Sequence, residues 1–122
     1  MQVNGNVLRI NSANVGQVGS VWFNKLQPVS DGFLTTFTFQ TTLPTQIPDG
    51  PPPPPFPADG FAFVIQNSAS GLRALGQGGG AIGYGSLGDA PGIDNSVAIE
   101  FDTFANQWDV VGDINGSART HG

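Results

Sequence analysis

The sequence predicts an all-β sandwich, and three observations carry that prediction. Short apolar or alternating runs recur between clusters of Gly, Pro, Asn and Ser, the punctuation of strands and turns. The chain holds 18 Gly, 10 Pro and 9 Phe with only 11% charged residues, a mix that suits tight turns and aromatic packing and not helix bundles. No stretch shows a helical hydrophobic period of useful length. With 122 residues the chain makes one compact domain, residues 1–122, and not two.

Residues 7–10 form a short apolar run that suits a first strand, and residues 20–23 (Ser-Val-Trp-Phe) suit a second. Residues 33–40 alternate most clearly: Phe33, Phe37 and Phe39 share one face, and Leu34, Thr36, Thr38 and Gln40 share the other. Residues 45–57 contain seven prolines, five of them consecutive at 51–55, which forces an extended backbone without ladder donors. That composition reads as a stiff loop joining two strands, with a ligand for aromatic-groove domains as the other reading. Residues 61–66 are apolar on both faces, which implies a strand covered on both sides.

Residues 71–88 hold eight glycines. A glycine-rich phosphate cradle needs a following helix N-terminus and usually a Lys, and neither follows here. Two readings remain, close approach of backbone to a ligand or a plain surface loop. Residues 82–84 and 97–104 complete the predicted strands.

The net charge of −5 makes nucleic acid or an anionic membrane surface a poor partner. There is no cysteine, so disulfides and thiol chemistry are excluded. No window is apolar and long enough to cross a bilayer. Met1 is followed by Gln-Val-Asn-Gly-Asn, without a basic flank or apolar stretch, so no signal peptide is expected within this chain; either the protein stays inside the cell or the chain starts after its targeting segment.

The chemistry concentrates in residues 96–109, Ser-Val-Ala-Ile-Glu-Phe-Asp-Thr-Phe-Ala-Asn-Gln-Trp-Asp. On a strand, Glu100 and Asp102 project from one face, while Val97, Ile99 and Phe101 project from the other, toward the expected core. Asn106 and Asp109 add oxygen donors just beyond. Two carboxylates so close repel each other, and no Lys or Arg lies between Arg73 and Arg119, so the nearest local remedy is a bound cation. Hard divalent ions take such oxygen ligands. The alternative is an exposed strand end with solvated acids.

Three segments together resemble the legume-type (L-type) lectin domain, including its bacterial relatives. They are Ala58-Asp59-Gly60-Phe61-Ala62-Phe63, Gly78-Gly79-Gly80-Ala81-Ile82-Gly83-Tyr84, and Val97-Ala98-Ile99-Glu100-Phe101-Asp102-Thr103-Phe104-Ala105-Asn106. The family shows the same three in the same order, and residues 19–23 and 33–39 fit its earlier strands. The resemblance implies a concanavalin-type jelly-roll sandwich that binds glycans and oligosaccharides, is not an enzyme, and uses paired Ca2+ and Mn2+ (or another transition metal). It further implies that Asp102 and Asp109 bridge the two ions. Asn106 and the Phe104 carbonyl would complete the calcium ligands, and Glu100 would bind the transition metal alone. The sugar would meet the Asp59 carboxylate, the Gly80 N–H, the Asn106 amide and the Phe104 ring. The Ala58–Asp59 bond is a candidate for a cis peptide, and the full-length protein is expected outside the cell or at its surface.

Each of these roles has a physical reason. Sugar hydroxyls donate and accept, so a carboxylate, an N–H and an amide complement them. The C–H face of a pyranose is apolar and suits an aromatic ring. Asn106 joins the two functions, one end held by Ca2+ and the other offered to sugar, so metal loss abolishes binding.

The chain departs from the family pattern in three ways. Asn106 and Asp109 are closer together than in most plant members, and Asp113 competes for the bridging role. The single His, His121, stands twelve residues after Asp109. It reaches the transition metal if residues 110–120 loop out; otherwise it is a free terminal His and the ligand lies beyond Gly122. The chain is also short for the family and is expected to be roughly the N-terminal half of the domain. Alone it should expose strand edges and apolar patches and be marginally stable.

Two other functions compete. A jelly-roll glycoside hydrolase needs an acid and a nucleophile, usually from Glu-x-Asp-x-Glu on one strand face. Here the third position is Phe104, and Glu100 and Asp102 sit too near each other to span a scissile bond without it. A metal-free structural or adhesion sandwich would leave Asp59 and Asn106 as spectators. The triplet Asn115-Gly116-Ser117 matches a glycosylation acceptor but is weak evidence.

Overall fold

A computed structural model describes residues 2–12, 14–42, 58–104 and 118–119. At the N-terminus β1 (Gln2–Asn4) and β2 (Val7–Arg9) form an antiparallel hairpin with Asn4 opposite Val7. Gly5 takes φ 59 at the first central position of the two-residue turn, where glycine has no steric cost. The strand expected at 7–10 is therefore present. Its partner β1 was not anticipated, because Gln-Val-Asn is too short and polar to show a period.

Among the described residues the main sheet has three antiparallel strands in the order β3-β4-β5, with β3 spanning Gly60–Gln66, β4 Ser96–Asp102 and β5 Ala118–Arg119. The β3–β4 ladder is unbroken from Gly60↔Asp102 to Gln66↔Ser96. Both strands fall where apolar content predicts them. The only helical pieces among the described residues are single 3₁₀ turns at Gly71–Arg73 and Gly79–Ala81.

The two faces of β3–β4 divide the labour. On one, Phe61, Phe63 and Phe101 meet Phe37 and Phe39, with Phe61 and Phe101 stacked at 4.6 Å and Phe39 edge-on to Phe61 at 4.5 Å. Each such pair contributes about 0.5–1.5 kcal/mol beyond its buried area. Phe37 and Phe39 do share a face, as their spacing predicts. Residues 33–42 nevertheless form no ladder among the described residues, and neither do residues 20–23. Alternation orients side chains, but a ladder needs a neighbouring strand in register.

The buried core lies on the opposite face from the one expected. Ala98 is 1% exposed, whereas Val97 and Ile99 are 40% and 39% exposed. Ala62, Val64 and Ala98 lie beneath Ala74, Tyr84, Ile93 and Trp22. Small side chains on that face let a folded loop settle on the sheet, which bulky Phe and Ile on the other face do not. Phe33, Phe37 and Phe39 remain about half exposed, in keeping with the expected apolar patch.

The glycine-rich segment supplies that covering layer and is no plain surface loop. Residues 82–84, expected as a strand, instead close a 3₁₀ turn: Ile82 is its left-handed cap at φ 46, and its N–H bonds Gly79 O at 2.8 Å. Tyr84 is the largest fully buried side chain among the described residues, 1% exposed, and its carbonyl accepts from Ile93 N at 2.9 Å. Cross-links Gly76 N to Gly83 O (2.8 Å) and Gln77 N to Gly85 O (3.0 Å) close the loop on itself. Backbone runs against backbone here, so a Cβ on Gly76 would collide with the Tyr84 carbonyl. Gly76→Ala should destabilise the fold by about 1–3 kcal/mol, the usual cost of overpacking. Gly78→Ala, whose Cβ meets only Val18 at 3.4 Å, should be near neutral; urea denaturation of both variants checks the contrast.

Candidate functional site

One end of the β3–β4 pair gathers the chemistry. The peptide between Ala58 and Asp59 is cis, as the resemblance implied, and Gly60 follows at φ 147. Gly60 lies so close to β4 that a Cβ would strike the Phe101 carbonyl oxygen. The Asp59 carbonyl accepts from Thr103 N at 2.9 Å, which extends the attachment one step past the ladder. The start of β3 is thus bound to the end of β4 by backbone alone.

Glu100 and Asp102 share one face of β4, opposite Ala62 and Gly60 respectively. That face also carries the core, so the acids occupy its open end, where β3 offers only a methyl or a hydrogen. Both are partly buried. The Asp102 carboxylate accepts from the Phe104 N–H at 3.3 Å, which turns the chain just after the strand. Phe104 is 49% exposed and lies beyond β4, which ends at Asp102, two residues short of the strand expected at 97–104.

The glycine-rich segment reaches the same end. A Cβ on Gly79 would lie 4.0 Å from the Asp59 Oδ2, so the Gly79–Ala81 turn, with Gly80 at its centre, faces the Asp59 carboxylate. Residues 20 apart in sequence are brought together by the loop folding back over the sheet. Five predicted site residues, Asp59, Gly80, Glu100, Asp102 and Phe104, therefore come from three segments that meet at one end of the sheet. Asn106, Asp109, Asp113 and His121 lie outside the described residues. So do the proline-rich run at 45–57 and Asn115.

The donor chemistry suits a hard divalent cation as far as it is described. Glu100 and Asp102 offer oxygens from adjacent same-face positions, and oxygen is what such ions take. Among the described residues no group of three His, Asp or Glu side chains is assembled. One feature was not legible locally: β5 sets Arg119 opposite Ala98, two residues before Glu100 on β4. Sequence reasoning also missed Thr103 as the tie to Asp59, since a backbone N–H leaves no signal in residue type.

An all-β fold with a cis Ala-Asp step, a glycine turn over that Asp and an acidic strand beside it is the arrangement that the resemblance to legume-type lectins implied. The sequence profile of the legume lectin domain matches residues 1–118, and the chain belongs to that family. The basic agglutinin of Psophocarpus tetragonolobus is 41% identical over 78 residues, covering 63% of this chain and 26% of the agglutinin. The chain thus spans about a quarter of the length of that relative. No solved structure matches the chain at a significant level. No helix among the described residues is long and apolar enough to cross a membrane.

Gly60→Ala should loosen this end of the sheet specifically. The expected outcome is faster amide hydrogen exchange at Thr103 with the Gln66↔Ser96 end still protected.

Proposed function

We propose that the chain carries a glycan-binding site organised by Ca2+ and Mn2+ and performs no chemistry on the sugar. The observation that carries the reading is the convergence of the Asp59 carboxylate and the Gly79–Ala81 turn at the end of the sheet where β4 delivers Glu100 and Asp102. Asp59 accepts from sugar hydroxyls, Gly80 donates its N–H, and the exposed Phe104 ring receives the apolar face of a pyranose. Family membership and an agglutinin among the relatives support the same reading.

Asp102, Asp109, Asn106 and the Phe104 carbonyl are the proposed calcium ligands, with Glu100 and His121 on the transition metal. When bound, the ions offset the repulsion between the carboxylates and hold Asn106 toward the sugar. Binding in place of hydrolysis rests on the donor set: β4 ends at Asp102, and Phe104 stands where a hydrolase strand would carry its third acid. The glycan is met outside the cell or at its surface, where oligosaccharides are displayed.

The test is binding of the full-length protein to an oligosaccharide array before and after demetallation. Capture should vanish with chelator and return with Ca2+ plus Mn2+, while undiminished capture would overturn the metal-organised site. Asp59→Ala removes hydrogen bonds to a charged acceptor, worth about 1.5–3 kcal/mol, and should weaken binding by roughly ten- to a hundredfold. A reducing-end assay on the bound oligosaccharides should show no cleavage.

A further inference from the structure

We infer that residues 18–22 form a shelf setting the Gly79–Ala81 turn against Asp59, which makes Ser20 and Trp22 positioning residues for sugar binding. The inference rests on the sugar reading but comes from different contacts. The Ala74 carbonyl, at the foot of the glycine loop, accepts the Trp22 indole N–H at 2.9 Å and the Ser20 hydroxyl at 3.1 Å. Ala74 is buried, so its carbonyl has these two donors in place of water. Val18 lies under the loop: Cβ atoms on Gly78 and Gly83 would come within 3.4 and 3.3 Å of its side chain.

The shelf therefore touches the loop at its foot, at Gly78 before the turn and at Gly83 after it. The loop is otherwise tied to itself, through Gly76, Gln77, Gly83 and Gly85, and to the segment that follows it, through Ile93 N to the Tyr84 carbonyl and the Gln77 amide to the Pro91 carbonyl, both at 2.9 Å. Internal ties keep its shape, but they do not fix its height over Asp59. That height is set by Val18, Ser20 and Trp22 below and by Tyr84 on the sheet. Removing both donors leaves the Ala74 carbonyl to seek another partner, and the loop spends part of its time displaced. A ligand that needs the seated loop then binds more weakly in proportion to the lost population.

The experiment compares the Ca2+-loaded full-length protein with Ser20→Ala/Trp22→Phe, using methyl α-D-mannopyranoside and methyl β-D-galactopyranoside as probes. Phe keeps an aromatic ring in the core while removing the N–H and part of the indole's bulk, and the Ser20→Thr rescue separates the lost donor from the lost volume. The double variant should bind the accepted sugar about tenfold more weakly, as a tenfold fall in seated population requires. Its calcium midpoint should be unchanged, and amide exchange should accelerate within residues 76–85. Ser20→Thr/Trp22→Phe, which restores a hydroxyl donor, should recover most of the affinity. Unchanged sugar affinity in the folded double variant, or unchanged exchange across 76–85, overturns the shelf. If the double variant does not fold, Trp22→Phe alone should show about a threefold loss and the same exchange pattern, on the same population argument. A parent protein that binds neither these glycosides nor any oligosaccharide of the array sinks the functional reading, and loop exchange then decides the shelf by itself.

Discussion

The pairing of Gly60 with Asp102 at the end of the β3–β4 ladder is the constraint on which the site depends. It requires backbone to approach backbone so closely that the Phe101 carbonyl occupies the place of a side chain at position 60. Because Gly60 and Ala62 leave that face nearly bare, Glu100 and Asp102 have room to extend beyond the sheet. The same contact anchors Asp59, whose carbonyl takes the Thr103 N–H. A proposed sugar acceptor and proposed metal ligands are thus placed by a single stretch of ladder.

The second requirement is a layer over the sheet that can come close without bulk. Glycines at 76 and 92 run against the backbone of Tyr84, and Tyr84 fills the space between that loop and β4. Its ring is locked above Ser96, whose hydroxyl donates to the Ile93 carbonyl at 2.6 Å and faces the Tyr84 hydroxyl at 3.4 Å. At the far end, Asn67 and Asn95 exchange bonds of 2.9 Å, and Ser68 donates to the Asp94 carboxylate. Both ends of the ladder are therefore pinned. The loop turns above Asp59 on a fixed base, which is what a preorganised binding surface needs.

The two faces of the sheet have different energetics. The aromatic face gains from ring stacking among five Phe side chains yet leaves part of that surface in water. The alanine face buries less bulk per residue but is sealed by Tyr84, Trp22 and Ile93. Acids sit at the rim of the sealed face, partly buried.

Local pattern in the sequence determined the all-β class, the strands β3 and β4, the shared face of Phe37 and Phe39, and the same-face pair Glu100 and Asp102. Each follows from side-chain alternation or composition, which need no knowledge of neighbours. The cis step at Ala58–Asp59 was legible only through the family resemblance, since residue type alone favours trans there. Tertiary structure alone decided which face became core, because a bulky face and a small-residue face are both apolar and only the covering loop distinguishes them. It likewise turned residues 82–84 into the close of a 3₁₀ turn and, among the described residues, gave 33–42 no ladder, since strand pairing depends on a partner in register. The meeting of Asp59 with the Gly79–Ala81 turn, and the support of that loop by Ser20 and Trp22, arise from contacts between residues far apart in the chain, which no local pattern encodes.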